Sequence, residues 1–232
     1  MRNAVFLLGP IFWIELIYSL VVIVSCGFIY VRTKELYELT SHKGIKYFRN
    51  AFLFFGVAFF SRLFLRLVAI VNGPDRVDRV FFNLGYLIFL YAGLMAGFYL
   101  IYSTLWKQFR KPEQFNGLFH PIALTISALV IVFLFGSATI ILLSLIFLLA
   151  AVFSYMQSKR SVKKEKVLQI HVIYFLLFAS WAVSAAAHFF VRISNQTSVI
   201  LYAISAGLFI VMAMMVLGSM RTNHSEQKKK QT

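Results

Sequence analysis

The chain has 232 residues, of which 60% are hydrophobic and 13% charged, with a formal net charge of +15 and a mean hydropathy of +0.80. Soluble domains are about 45–50% apolar and about 25% charged, so this composition excludes a water-soluble fold and predicts an all-α integral membrane protein. The one cysteine, Cys26, excludes an intrachain disulfide and a cysteine-based metal site.

Seven apolar segments predict seven membrane-spanning helices in one domain, residues 1–220. The first begins after Pro10, which favours a helix start, and it is too long for the apolar region of a signal peptide. The predicted spans are about 11–31, 48–71, 80–105, 121–135, 138–156, 167–191 and 198–220. The remaining residues, 221–232, form a polar and basic tail that we expect to be disordered in the cytoplasm.

The fourth and fifth spans are predicted from one uncharged stretch, residues 121–156. A continuous helix of that length would measure roughly 54 Å, whereas the hydrocarbon core of a bilayer is about 30 Å thick. Two spans with a turn near Gly136 and Ser137 therefore fit better than one.

The placement of basic residues predicts the orientation. With seven spans and the N-terminus outside, seventeen Lys and Arg residues lie in the inner connections and tail, and four lie outside. Merging the fourth and fifth spans would move nine of these inner residues outside, which the positive-inside rule disfavours. We therefore expect a plasma or cytoplasmic membrane protein with a cytoplasmic C-terminus. Its basic connections are expected to face anionic lipid headgroups rather than nucleic acid.

Ionisable residues inside the predicted spans are costly in lipid and are candidates for function. Arg62 and Arg66 share one face of the second span because they are four residues apart. Glu15 is the only acid in a predicted span, and its depth matches that of Arg66 if the first two helices are antiparallel. His188 lies near the outer end of the sixth span, so these four residues are expected at the same side of the bundle.

One interpretation of this cluster is a polar pocket that faces outward. Its predicted ligand-binding residues are Glu15, Arg62, Arg66, Asn83, Tyr86, Trp181 and His188, with Tyr18 and Tyr91 as further wall residues. The arginines would bind an anionic group or polarise a polar ligand. The alternative interpretation is structural: a Glu15–Arg66 ion pair joins the first two helices, and Arg62 extends toward water.

Two histidines and two glycines admit further interpretations. His120 and His171 are predicted at a similar depth near the inner side, and a b-type haem needs two such ligands. The competing expectation is that they bond to water and headgroups, and we expect no cofactor and no metal. Gly93 and Gly97 form a GxxxG motif in the third span, which favours close packing within the bundle or, alternatively, between copies in a homo-oligomer.

The plan of seven helices with an outer N-terminus resembles that of rhodopsins and G-protein-coupled receptors. The resemblance is topological and carries no motif. A retinal protein needs a lysine midway along the seventh helix, but no lysine lies in the predicted spans, which excludes a retinal Schiff base. The inner end of the third span reads Ser103-Thr104-Leu105-Trp106, where receptors of this class have an acidic residue, arginine and tyrosine.

Three classes of function follow from these observations. A receptor-like or sensor module would bind a small amphipathic or anionic ligand and signal to a separate cytoplasmic or membrane partner. The alternatives are a small transporter or channel, or a non-catalytic subunit of a membrane complex. We do not expect an enzyme, because the predicted spans lack the paired acids, Ser/His pair or clustered metal ligands that intramembrane catalysis needs.

Overall fold

The computed structural model describes residues 10–72, 79–106, 112–133, 137–160, 164–190 and 194–229. Within these ranges the chain forms seven α-helices and no β-strand, which confirms the predicted fold class and the division of the uncharged stretch into two helices. The helices are α1 (Pro10–Thr40), α2 (Lys43–Asn72), α3 (Arg79–Leu105), α4 (Pro112–Phe133), α5 (Ser137–Arg160), α6 (Lys164–Phe190) and α7 (Asn195–Lys229).

Six of the described helices are long and apolar enough to cross a membrane. Their apolar segments contain 20 to 30 residues, and a spanning helix needs about 20. The exception is α4, whose described apolar segment, Gly117–Phe133, is shorter and measures about 26 Å. The protein is a multi-pass membrane protein.

The start of α4 differs from the prediction. The fourth span was expected to begin at Pro121, but the helix begins at Pro112 and Pro121 lies inside it. Pro112 suits the first helical position because proline has no N–H to leave unpaired there. Pro121 lacks the N–H that would bond to the carbonyl of Gly117, and the helix continues past that missing bond.

Helix α1 continues nine residues beyond its predicted end, as far as Thr40. Ion pairs on adjacent turns support this extension, between Arg32 and Glu35 at 3.1 Å and between Lys34 and Glu38 at 3.9 Å. The helix ends at Ser41, which has a positive φ of 50° and donates its N–H to the Tyr37 carbonyl at 2.7 Å. A residue in this left-handed conformation is a common helix terminator.

Helix α7 also continues beyond its predicted end, as far as Lys229, where we had expected a disordered tail from residue 221. After Gly218 the sequence contains no glycine or proline to end the helix. It offers Arg, Glu, Gln and Lys, which are good helix formers. The tail prediction followed polarity, which does not by itself end a helix.

Six helices form a closed ring in the order α1, α2, α3, α5, α6, α7, while α4 packs mainly on α3 outside the ring. Helices α2 and α3 run in opposite directions, as do α6 and α7, whereas the neighbours α3 and α5 run in the same direction. Ser61 near the end of α2 donates to the Gly85 carbonyl near the start of α3 at 2.8 Å. Ser198 near the start of α7 donates to the Ala187 carbonyl near the end of α6 at 3.2 Å. We call the end of the bundle where α2 ends and α3 begins the α2–α3 end.

Aromatic side chains fill the interior of the ring. Phe55 on α2 contacts three rings from three other helices, Phe147 at 5.5 Å, Trp181 at 6.2 Å and Phe209 at 5.7 Å between centroids. We call the whole group the aromatic core; it consists of Tyr18, Phe55, Phe59, Phe147, Trp181 and Phe209. Since α1, α2, α5, α6 and α7 all contribute to it, this layer occupies the axis of the ring.

The two glycines of the GxxxG motif pack within the bundle. Both are buried, and they face α5, where a Cβ on Gly93 would lie 3.1 Å from Leu143 and one on Gly97 would overlap Ile146. Because α5 of the same chain occupies their surface, the motif serves packing within the bundle.

Candidate ligand-binding site

Glu15 on α1 forms ion pairs with two arginines of α2. Its Oε1 atom contacts Arg62 Nη2 and its Oε2 atom contacts Arg66 Nη1. The Glu15 side chain is only 3% exposed, whereas Arg62 and Arg66 are 20% and 32% exposed. We call these three residues the charge triad. With all three ionised, the triad has one net positive charge.

The structural interpretation of the sequence is right about Glu15 and Arg66 but wrong about Arg62. In that interpretation Arg62 extends toward water, yet its guanidinium binds the second oxygen of the same carboxylate. Because the arginines are one turn apart on α2, one carboxylate reaches both. Sharing one acid satisfies both cations better than leaving Arg62 without a partner among the helices.

A cavity of about 410 Å³ lies beside the triad, between α2, α3, α5 and α6. Arg66 is six residues from the end of α2 and Arg62 is ten, so they lie roughly 9 Å and 15 Å from that helix end. The cavity is therefore near the α2–α3 end of the bundle. Its lining residues are Arg62, Leu65, Arg66, Ala69, Phe82, Asn83, Tyr86, Phe89, Ile140, Trp181, Ser184, Ala185 and His188.

Three of the four helices present a continuous face to the cavity. On α2 and on α6 the lining residues are spaced three and four positions apart, which places them on one side of a helix. On α3, Phe82, Tyr86 and Phe89 follow the same spacing, with Asn83 beside them. Most of the wall is apolar, and its polar side chains include the two arginines, Asn83, Ser184 and His188.

Close contact between α2 and α3 supports the cavity on one side. Gly85 lies between the wall residues Asn83 and Tyr86, and a Cβ at Gly85 would overlap the side chain of Leu65. The Ser61 hydroxyl, one residue before Arg62, bonds to the Gly85 carbonyl. Glycine at this position lets the two helices approach, which sets the distance between the arginines and the α3 wall.

Serine hydrogen bonds fix the opposite side of the cavity by joining α6 to α7. The Ser180 hydroxyl donates to the Ser205 carbonyl at 3.0 Å, and the Ser205 hydroxyl donates to the Ser180 carbonyl at 2.8 Å. All four atoms are buried, so losing either bond would leave a buried polar group without its partner. This reciprocal pair sets the rotation of α6 and thereby turns Trp181, Ser184 and His188 toward the cavity.

Trp181 belongs to both the cavity wall and the aromatic core. Its Nε1 donates to Ser144 Oγ of α5 at 3.1 Å, and its ring lies 5.3 Å from Phe147 and 6.2 Å from Phe59 between centroids. The side chain is 5% exposed. A ligand that displaced this indole would therefore also displace aromatic rings on α2 and α5.

A comparison with known proteins identifies a relative of nearly the full length. An uncharacterised protein from Archaeoglobus fulgidus is 30% identical to this chain over 216 residues, which cover 88% of this chain and 91% of the relative. The chain belongs to the same family as that protein. No protein-family model matches the chain, and no solved structure matches it. Because the relative's name states no activity, the function of the family has to be argued from the site.

For this member of the family, the structure brings together most of the predicted site residues. The cavity wall contains Arg62, Arg66, Asn83, Tyr86, Trp181 and His188. Glu15 is not part of the wall, although it binds two of the wall arginines from α1. The sequence also places Asp75, Asp78 and Arg192 near the same end of the bundle, and these three lie outside the described residues.

Two predicted wall residues lie elsewhere. Tyr18 is 1% exposed and packs against Phe59 and Tyr202 in the interior of the ring. Tyr91 points to α4, where its hydroxyl pairs with Nδ1 of His120 at 2.6 Å. Both predictions used depth alone, and depth does not specify which way a side chain points around its helix.

The histidines considered as haem ligands have different surroundings. His120 on α4 pairs with Tyr91 and lies 6.2 Å from the Phe54 ring. His171 on α6 lies 6.2 Å from the Tyr155 ring of α5. His120 thus contacts α2 and α3, and His171 contacts α5.

Seven further residues line the cavity and were not predicted from the sequence: Leu65, Ala69, Phe82, Phe89, Ile140, Ser184 and Ala185. For six of them a signal was present, since they lie three, four or seven positions from Arg62, Tyr86 or Trp181 on the same helix. No comparable signal points to Ile140, because its helix contributes no ionisable residue to the cavity.

Proposed function

We propose that this protein is a receptor-like sensor module of the membrane, which binds a small amphipathic anion in the cavity between α2, α3, α5 and α6. The observation that carries this proposal is the charge triad: two arginines share one carboxylate at the edge of a mainly apolar cavity. Ligand pockets are typically about 300–1,000 Å³, apolar, with a few convergent polar groups. The cavity has this size and this composition.

The excess positive charge supports an anionic ligand. A net charge in a low-dielectric environment is unfavourable, and an anion in the cavity would neutralise it. The arginine forks are suited to carboxylate and phosphate oxygens. Phe82, Phe89 and Ile140 in the wall would then contact the apolar part of the ligand.

The orientation predicted from the basic residues places this cavity on the outer side. Under that orientation the α2–α3 end faces outward, and the basic connections and tail face a cytoplasmic or membrane partner. Trp181 links the cavity to rings on α2 and α5, so a change in its position is our proposed route for the signal. We propose binding rather than catalysis, because the carboxylate next to the cavity is already paired with two arginines.

A transporter or channel is less well supported. Transport needs a polar path that reaches both ends of the bundle. The aromatic core lies on the axis of the ring, and it is built from side chains of five helices. Flux through liposomes containing the purified protein alone would favour transport over sensing.

Calorimetric titration of the protein in lipid nanodiscs tests the proposed function. We expect decanoate to bind with saturation and decyltrimethylammonium, a cation with the same chain, not to bind. Replacing Arg66 with Leu should abolish the binding of decanoate. The matched control is Arg32→Leu, because Arg32 is an exposed arginine of α1 far from the cavity, paired with Glu35. Equal affinities for decanoate and the cation, or equal effects of the two substitutions, would contradict the proposal.

A further inference from the structure

The two arginines of the charge triad differ in their surroundings. Both line the cavity, but Arg62 is the less exposed of the two and lies one turn deeper along α2. Arg66 is closer to the α2–α3 end, with about a third of its side chain exposed. The Glu15 carboxylate is almost completely buried, binds both arginines and does not line the cavity.

From this arrangement we infer that Glu15 is a permanent counter-ion, which makes a ligand with a single negative charge the preferred one. Arg66 binds the ligand's headgroup, while Arg62 remains paired with Glu15. This inference rests on the proposed function and adds the ligand class: a monoanionic amphiphile, such as a carboxylate with an apolar chain. One such headgroup makes the cluster of two guanidiniums and two carboxylates electrically neutral.

Charge balance explains why a dianion would bind less well. The attraction to the triad increases in proportion to the ligand's charge, but the cost of removing an ion from water increases with the square of its charge. A monoanion leaves no net charge in the cavity, whereas a dianion leaves one negative charge. His188 also lines the cavity, so the comparison is made at pH 8, where imidazole is ordinarily neutral.

Substituting Glu15 with Gln tests the role of the counter-ion. The change raises the triad from one positive charge to two, with little change in shape. We expect the ratio of the affinities for decanoate and decyl phosphate, measured in nanodiscs at pH 8, to shift toward the phosphate by tenfold or more. A phosphate monoester is mainly a dianion at this pH. An unchanged ratio would overturn the role of Glu15.

Two double variants test the roles of the arginines at constant charge. Glu15→Gln with Arg62→Gln leaves Arg66 alone, and Glu15→Gln with Arg66→Gln leaves Arg62 alone. Each variant keeps one positive charge, as in the wild type, and leaves one arginine instead of two without an acid. The two variants therefore show which arginine binds the headgroup even if Glu15→Gln alone fails to fold. We expect the first to bind decanoate within about threefold of the wild type, and the second to bind it at least tenfold more weakly. Equal affinities would overturn the assignment to Arg66.

The controls separate failure of this inference from failure of the proposed function. Decanol, which has the same chain without a charge, measures the contribution of the apolar wall. If the wild type binds neither decanoate nor decanol, the proposed function itself is wrong. If it binds decanoate more tightly than decanol, but binds decyl phosphate at least as tightly as decanoate, the proposed function stands and the inference about the ligand's charge is wrong.

Discussion

Glu15 and Arg66 form an ion pair between α1 and α2, and Arg66 is at the same time part of the cavity wall. The arginine is therefore connected to the fold through Glu15 and to the cavity through its exposed edge. Arg62 binds the other oxygen of the same carboxylate. Stability and ligand binding consequently depend on the same three side chains, but in different ways.

The shared carboxylate predicts an asymmetry in stability. Replacing Glu15 with Gln leaves two partly buried arginines without their acid, and removing one partner of a buried ion pair costs about 3–5 kcal/mol. Replacing Arg66 with Gln leaves Glu15 paired with Arg62, so we expect a loss of only about 1 kcal/mol. SDS-induced unfolding in mixed micelles measures the loss of stability in both variants. Equal losses would show that the two arginines do not substitute for each other.

The contact between α3 and α5 predicts a clear effect at Gly97. A methyl group there would overlap Ile146, and overpacking of this kind costs about 1–3 kcal/mol. We therefore expect Gly97→Ala to destabilise the bundle and to cost much less in an Ile146→Ala background. The control is Gly27→Ala on α1, because nothing lies within 4 Å of a Cβ at Gly27. If Gly97→Ala and Gly27→Ala change the stability equally, the close packing of α3 on α5 is contradicted.

The sequence contained enough information to predict the helices and the level of the site along the bundle. Apolar length identifies seven helices, and antiparallel connection brings Glu15 to the depth of Arg66. Those predictions need only the rise per residue and the direction of each helix.

Predictions that depended on the rotation of a helix about its axis, or on where a helix begins or ends, were wrong more often. Tyr18, Tyr86 and Tyr91 were all predicted as wall residues, yet only Tyr86 lines the cavity. Which side of a helix faces which neighbour follows from packing, as at Gly85 and Ser180, and one sequence does not show which helices are adjacent in the ring. The position of α4 outside the ring and the contribution of Ile140 from α5 follow from the same missing information.

The end of α1 predicts a stabilising substitution. Ser41 has a positive φ of 50°, a conformation that glycine adopts without the steric cost paid by other residues. We expect Ser41→Gly to increase stability by about 0.5–1 kcal/mol and Ser41→Val to decrease it. Amide hydrogen exchange near Tyr37 and Ile45 reports this local change. Slower exchange in the valine variant than in the glycine variant would contradict the assignment of Ser41 as the helix terminator.

The orientation predicted from the basic residues can be tested by chemical labelling. Val71, near the end of α2, is 83% exposed, and the Glu38 side chain, at the opposite end, is 63% exposed. In intact cells we expect a membrane-impermeant maleimide to label Val71→Cys but not Glu38→Cys. After permeabilisation both should react. The wild type is the background control, since Cys26 is buried, and the reverse pattern would invert the orientation.

The central claim is that the cavity binds an amphipathic anion at Arg66 and against Trp181. Quenching of Trp181 fluorescence by a brominated ligand tests this claim most directly. In a Trp13→Phe, Trp106→Phe background, Trp181 is the remaining tryptophan. We predict saturable quenching by 10-bromodecanoate, reversed by unlabelled decanoate but not by decanol, and absent when Arg66 is replaced by Gln. Quenching that rises linearly with concentration and is unaffected by the Arg66 substitution would contradict the account, because it would report ligand dissolved in the lipid.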